Sequence, residues 1–246
     1  MVDIHCHILP EVDDGPTSWE MALEMCSMAS ADGIEHIVAT PHANDRYTYD
    51  REYLNALLDR LRQQLGDTGL SFSIGCDFHL SYDNLQDAFV RPQHYVIGNT
   101  RYLLVEFSNF GIPPQMTGYL QRLLDGGLIP VITHPERYPG LRNQLQRVLE
   151  WVNHGCVVQV TASSMTGAWG EQAESSARWL LDRDAVHVLA TDAHNTTRRV
   201  PVLSAAREEV TTTYGADIAR ALVDDNPRAI VSGKALPYFP EPLTKA

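Results

Sequence analysis

The sequence predicts an α/β protein built as a closed or nearly closed barrel of parallel strands with helical crossovers. Short apolar strands alternate with helices about seven times, which is the pattern of parallel β/α units. The 246 residues show no internal repeat, low-complexity run or linker-like change of composition, so a single domain spanning 1–246 is expected. Histidines and carboxylates recur where strands end, the rim on which barrels of this kind carry their chemistry.

The elements follow in order. "VDIHCHI" alternates apolar and polar residues as a strand does. "TSWEMALEMCSMASADG" reads as a helix, with Thr17 and Glu20 spaced as a capping box and Gly33 as its stop. "IEHIVAT" is the second strand, and "DREYLNALLDRLRQQLG" is a periodic helix ending at Gly66. "LSFSIGCDF" reads as one strand and "RYLLVEFS" as the next; a helix follows near Pro114–Asp125, stopped by Gly126 and Gly127. Then come strand "LIPVITH", helix "NQLQRVLEWVNHG", strand "CVVQVTA", helix "EQAESSARWLLDRD" and a last strand in "VHVLATDAH". The remainder to "DNPRAIVSG" is helical, with Asn226 and Pro227 as cap and first turn.

A formal charge of −12 argues against a nucleic-acid binder, whose affinity comes from Lys and Arg neutralising phosphates. A small phosphorylated substrate stays compatible, because bound metal ions invert the charge of an acidic pocket. No apolar run approaches the roughly 20 residues of a membrane span, and no basic-then-apolar leader opens the chain. Cys6, Cys26, Cys76 and Cys156 are scattered without pairing, so reduced thiols and a cytoplasmic location are expected.

The rim residues are specific in type. His5 and His7 end the first strand, and Asp14 lies in the loop after it. His42 follows the second; Asp77 and His79 end the third; Glu106 ends the next. His134 follows "VIT", and Asp192 and His194 end the last. A lone histidine at a strand end is more often a hydrogen-bonded loop residue, and Asp-Asp-Gly alone is an ordinary turn. Six strand ends behaving independently is a poor account of the pattern. Imidazole with carboxylate suits Zn²⁺, Mn²⁺ or Fe. So many donors exceed the four to six of a single ion, so two or three divalent ions are expected, with Glu106 bridging. His36, His94, His154 and His187 lie off this rim and carry no assigned role.

"DIHCHILPEVDDGP", "ATPH", "HPERY" and "TDAHN" together resemble the polymerase-and-histidinol-phosphatase (PHP) superfamily. Within it, the chain from Met1 to about Gly233 is similar to the bacterial PHP-type protein-tyrosine phosphatases that act on tyrosine autokinases of capsule and exopolysaccharide synthesis. The resemblance implies a distorted seven-stranded β/α barrel and a trinuclear site, commonly Mn²⁺. It implies His5, His7, Asp14, His42, Glu106, His134, Asp192 and His194 as metal ligands. Arg137 and Arg199 match arginines that grip phosphate, with Arg198 a rival for the second. One position departs: Asp77 stands where the family usually has Glu. His79, on the same strand face, is the candidate to supply the missing reach.

The expected chemistry is hydrolysis of a phosphomonoester by metal-activated water, with Arg137 and Arg199 offering forked donors. The CxxxxxR loop of thiol phosphatases is absent. The expected partner is a phosphotyrosine protein, an autokinase, and oligomer formation is left open. Two other readings stand beside this one. One is a PHP hydrolase of small esters such as histidinol phosphate or a nucleotide, or a promiscuous esterase. The other is a metal-loaded regulator of a kinase without turnover.

Overall fold

The computed structural model describes residues 1–108 and 111–242. Strand β1 (Val2–Cys6) leads to α1 (Trp19–Ala31), then β2 (His36–Ala39), the two-residue β3 (His42–Ala43) and α2 (Arg51–Leu65). Next are β4 (Ser71–Ile74), β5 (Asp77–His79), α3 (Tyr82–Val90), β6 (Tyr102–Glu106), α4 (Met116–Asp125) and β7 (Ile129–Thr133). Helix α5 (Gln146–Asn153), β8 (Val157–Thr161), α6 (Ala162–Met165), α7 (Glu171–Leu181) and β9 (Val188–Ala190) follow. Helices α8 (Ser204–Tyr214), α9 (Ala216–Arg220) and α10 (Asn226–Val231) complete the order.

Every named strand pair is parallel, as the alternation of strands and helices requires. The strands form two sheets, β1-β2-β4 and β3-β5-β6-β7-β8-β9. The expected single third strand is broken at Gly75 and Cys76, and Thr40 and Pro41 separate the second strand from the short β3 that follows it. Proline removes a donor, and Gly75 marks a close approach: a Cβ there would meet Val38 Cγ1 at 3.0 Å. Pairing still crosses the break, because Gly75 N donates to Ala39 O at 2.8 Å and Asp77 N to Pro41 O at 3.1 Å. On the far side a single parallel bridge, Cys6 to Ala193, ties β1 to the end of β9. Seven chain segments thus follow one another in a ring that is interrupted rather than one continuous sheet.

Asp3 clasps the closing seam. Its Oδ1 accepts from Thr191 N at 3.0 Å and its Oδ2 from Thr191 Oγ1 at 2.5 Å. Burial raises the Asp3 carboxyl to about 6 against these hydrogen bonds. A small apolar cluster drawn mostly from strands (Val2, Ile4, Leu104, Val131, Val157 and Val188 among them) fills one layer. A larger one joins strands to the surrounding helices.

Two local readings are corrected. Helix α1 is capped by Ser18, whose side chain accepts from Met21 N, so it starts one residue later than Thr17 requires. Glu20 then falls one position short of closing a capping box. Nor does Asn226 cap a helix. The chain runs from α9 through a π turn (Ala221–Asp225) straight into α10. Asn226 is buried and ties neighbours together instead: Nδ2 donates to His187 O at 2.9 Å and Tyr238 O at 2.6 Å.

Candidate metal centre

Strand register sets the first contacts of the centre. His42 lies opposite Asp77, and His79 opposite Glu106, on adjacent strands of one sheet. His5 reaches the centre from β1 and His7 from just beyond its end. His134 and Asp192 sit directly after β7 and near the end of β9 in left-handed conformations, φ 36° and 51°. Such backbone is costly for side chains other than glycine. At His134 it is held by a hydrogen bond from its N to Gln159 O, 2.8 Å, and at Asp192 by one from its N to His5 O, 2.8 Å.

The donor atoms converge. His5 Nε2 stands 3.3 Å from Asp192 Oδ1 and 3.5 Å from Asp77 Oδ2. His42 Nδ1 is 3.2 Å from Asp77 Oδ2, and its Nε2 is 3.3 Å from Asp14 Oδ1. His194 Nε2 is 3.2 Å from that same Asp14 oxygen. Two donors about 2.1 Å from a shared ion stand about 3.0–3.4 Å apart at octahedral or tetrahedral angles. Four overlapping groups bring one donor atom from each residue within 4.8 Å of the others: His7, Asp14, His42 and His194; His5, Asp77 and His134; His5, His7 and Asp192; His42, Asp77 and Glu106.

The fit to cations rests on unpartnered atoms. His5 Nε2, His7 Nε2, His42 Nδ1, His134 Nδ1, His194 Nε2 and both Asp77 oxygens are buried without a hydrogen-bond partner. Buried polar groups are seldom left so, and here they face one volume.

The charges are strongly coupled. Burial opposes charging His5, but Asp192 and Asp77 outweigh it and lift the imidazole to about 9. His42 is lifted to about 11, against burial, by the facing carboxylates of Asp14 and Asp77. Burial, then the neighbouring His194, holds His7 down at about 4. Burial and then Asp77 raise the Glu106 carboxyl. Asp14, half exposed, is held below its ordinary range despite some burial by His194 and His42.

The sequence-predicted residues His5, His7, Asp14, His42, Asp77, Glu106, His134, Asp192 and His194 all fall in these groups. His79 does not. Its Nδ1 lies 3.7 Å from Glu106 Oε2, and it lines the cavity above the centre. That cavity has a volume of about 730 Å³ and also opens onto Tyr47, Arg137 and Arg199. Arg137, carried on the turn Pro135–Arg137, pairs with Asp192 Oδ2; Arg199 Nη2 meets the same oxygen at 2.5 Å. Arg198 is exposed.

Two orienting residues were not anticipated. Asp13 Oδ2 accepts from His7 Nδ1 at 2.7 Å and from His42 N at 3.1 Å. Gln159 Oε1 lies 3.0 Å from His5 Nδ1. Each fixes one ring nitrogen so that the other faces the centre. Gln159 had a signal, being the one polar residue within the buried run "VVQV". Asp13 had none beyond its place in a turn sequence.

Residues 1–232 match the model of the family described as capsular polysaccharide synthesis, CpsB/CapC. The chain belongs to the CpsB/CapC family. It is 35% identical over 202 residues to a putative tyrosine-protein phosphatase, CapC, of Staphylococcus aureus, covering 81% of this chain and 79% of that one. To the tyrosine-protein phosphatase CpsB of Streptococcus pneumoniae it is 32% identical over 240 residues, 94% of this chain and 98% of the other. A solved structure from the work on YwqE of Bacillus subtilis and CpsB of Streptococcus pneumoniae, described as unique metal-dependent tyrosine phosphatases, superposes with a TM-score of 0.88. That match is 29% identical and covers 100% of both chains. CpsB/CapC membership accords with the α/β fold and the PHP-type resemblance of the rim motifs.

Proposed function

We propose that this CpsB/CapC chain is a metal-dependent protein-tyrosine phosphatase acting on a tyrosine autokinase of capsule or exopolysaccharide synthesis. Its relatives carry the name tyrosine-protein phosphatase over most of the chain's length. The observation that carries the reading is the set of buried, unpartnered donors beside two guanidiniums. The domain is the whole chain, 1–246, and the cytoplasm its location, in keeping with four free cysteines and no helix among the described residues long and apolar enough to cross a membrane.

Two or three divalent ions, Mn²⁺ first and Zn²⁺ or Fe as rivals, would be held by His5, His7, Asp14, His42, Asp77, Glu106, His134, Asp192 and His194. Bound there, such ions act as Lewis acids on phosphoryl oxygens and lower the pKa of water. The chain's own residues do the rest. Asp13 and Gln159 hold the rings of His7 and His5 in register. Arg137 and Arg199, both against Asp192 beside the cavity, offer paired N–H donors to the equatorial oxygens of a phosphoryl group. No thiol takes part: Cys6 is buried, and burial pushes its pKa well up.

The test compares kcat/KM on a phosphotyrosine peptide with that on histidinol phosphate, alongside metal analysis of the purified protein. A strong preference for the peptide supports the reading. Preference for histidinol phosphate moves the chain to the small-ester hydrolases, and absence of turnover with metals bound leaves the regulator.

A further inference from the structure

Trp169 stands in the loop between α6 and α7, 36% exposed. Its ring is pinned: Nε1–H donates to Ser163 Oγ at 2.9 Å, and the loop folds back through Ala168 N to Ser163 O at 3.0 Å. The Arg137 guanidinium lies over the ring face, 3.6 Å from its centroid, and that of Arg199 lies 5.5 Å away. A carboxylate partner occupies the in-plane N–H donors of a guanidinium. A ring face holds the group without touching them. Asp192 is the carboxylate that both arginines share, and it is also one of the candidate ligands. The indole is therefore a neighbour that holds Arg137 without occupying its N–H donors, of which Nη1 already serves Asp192 and Thr161 Oγ1.

The same ring lines a second cavity of about 320 Å³ whose lining is mixed: Pro139 and Ala173 are apolar, and Glu106, His134, Glu136, Arg137, Arg142 and Gln172 are polar. Glu106, His134 and Arg137 also border the larger cavity over the centre, so the two spaces adjoin at the phosphate-gripping arginine. Trp169, Pro139 and Ala173 give the smaller one apolar wall area. A phosphoryl group held by Arg137 would place the first atoms of its ester group beside that wall.

We infer that Trp169 is a positioning and specificity residue: it holds Arg137 by its face and provides the wall against which the phenyl ring of an aryl phosphate lies. The inference rests on the phosphatase reading for its substrate, but not for its test. Binding of phenylphosphonate and methylphosphonate, which are not hydrolysed, is measured by calorimetry on the Mn²⁺-loaded protein. Wild type should bind the phenyl compound more tightly. Trp169→Ala should weaken methylphosphonate about 10-fold, through loss of Arg137 positioning, and weaken phenylphosphonate about 10-fold further. Trp169→Phe should restore most of both losses. Unchanged affinities in Trp169→Ala overturn the inference. So does an equal loss for both ligands, or a failure of Phe to rescue, since a merely structural tryptophan would give those. If wild type binds both phosphonates with this pattern yet does not hydrolyse phosphotyrosine, the activity reading fails and the role of Trp169 stands.

Discussion

Asp13 Oδ2 accepts a 2.7 Å hydrogen bond from Nδ1 of His7, and the other ring nitrogen, Nε2, is left buried without a partner. A carboxylate behind a metal-binding imidazole fixes its tautomer and raises its basicity. Asp13→Ala is expected to lower metal affinity by roughly 10–100-fold while leaving the fold intact. Titration of the metal-free variant with Mn²⁺, read by calorimetry, checks this. An unchanged affinity would show that His7 needs no orientation.

Removal of metal should abolish phosphotyrosine hydrolysis, and Mn²⁺ or a similar ion should restore it. It should also lower the melting temperature, because a ligand that binds only the folded state stabilises it by about 2.7 kcal/mol at 100 times its dissociation constant. Differential scanning fluorimetry with and without chelator gives the second measurement independently of turnover. Full activity after prolonged chelation would sink the metal mechanism.

The metal-free protein should lose stability on the alkaline side. His5 and His42 have folded pKa values raised to about 9 and about 11. A raised histidine contributes fully below its unfolded pKa of about 6.5, and that contribution fades as pH rises through the folded value. Stability by urea denaturation should therefore decline between pH 7 and 11. His7, held at about 4, acts oppositely: its neutral form is favoured, so stability falls as pH drops from about 6.5 towards 4. The metal-loaded protein should show a flatter alkaline limb, because ligand imidazoles are already neutral. Equal slopes for the two forms would contradict this placement of the charges.

Arg137→Ala and Arg199→Ala should each lower kcat/KM on phosphotyrosine peptide by on the order of 10²-fold, the scale of losing a donor to developing charge. Arg198→Ala, on an exposed side chain, should change it little. Metal content by elemental analysis should hold steady in all three. A large effect at Arg198 with none at Arg199 would reverse the assignment.

Cys6→Ala should keep its turnover, because the buried thiol serves the seam between β1 and β9 and not the chemistry. Inactivity with normal metal content and a normal melting temperature would revive a thiol nucleophile.

The centre was more legible in the sequence than the elements that carry it. Histidine and carboxylate at strand ends are conspicuous because such groups are poor core material, and the nine residues so chosen do meet. Helix α3 was missed: nine residues with only Leu85 and Ala88 buried give too few turns for a periodic signal. The break at Gly75 depends on how closely Val38 and Ile97 approach, which is a tertiary fact. His79 was paired with Asp77 because residues two apart on a strand share a face. Register then decided its neighbour, placing it opposite Glu106. Asp13 and Asp14 are chemically identical, and only the folded loop shows that one faces His7 and the other His42 and His194.

The seam at Cys6 and Ala193 joins positions 187 residues apart, and the donors His5, His7, Asp192 and His194 lie on its two sides. Contacts of such long sequence separation form late, because the chain entropy of closing the loop must be met first. During synthesis His5 and His7 therefore emerge long before Asp192 and His194. A chain cut short before Asp192 lacks two of the nine candidate donors. Completion of the donor set thus waits on closure of this seam, which couples the centre to completed folding.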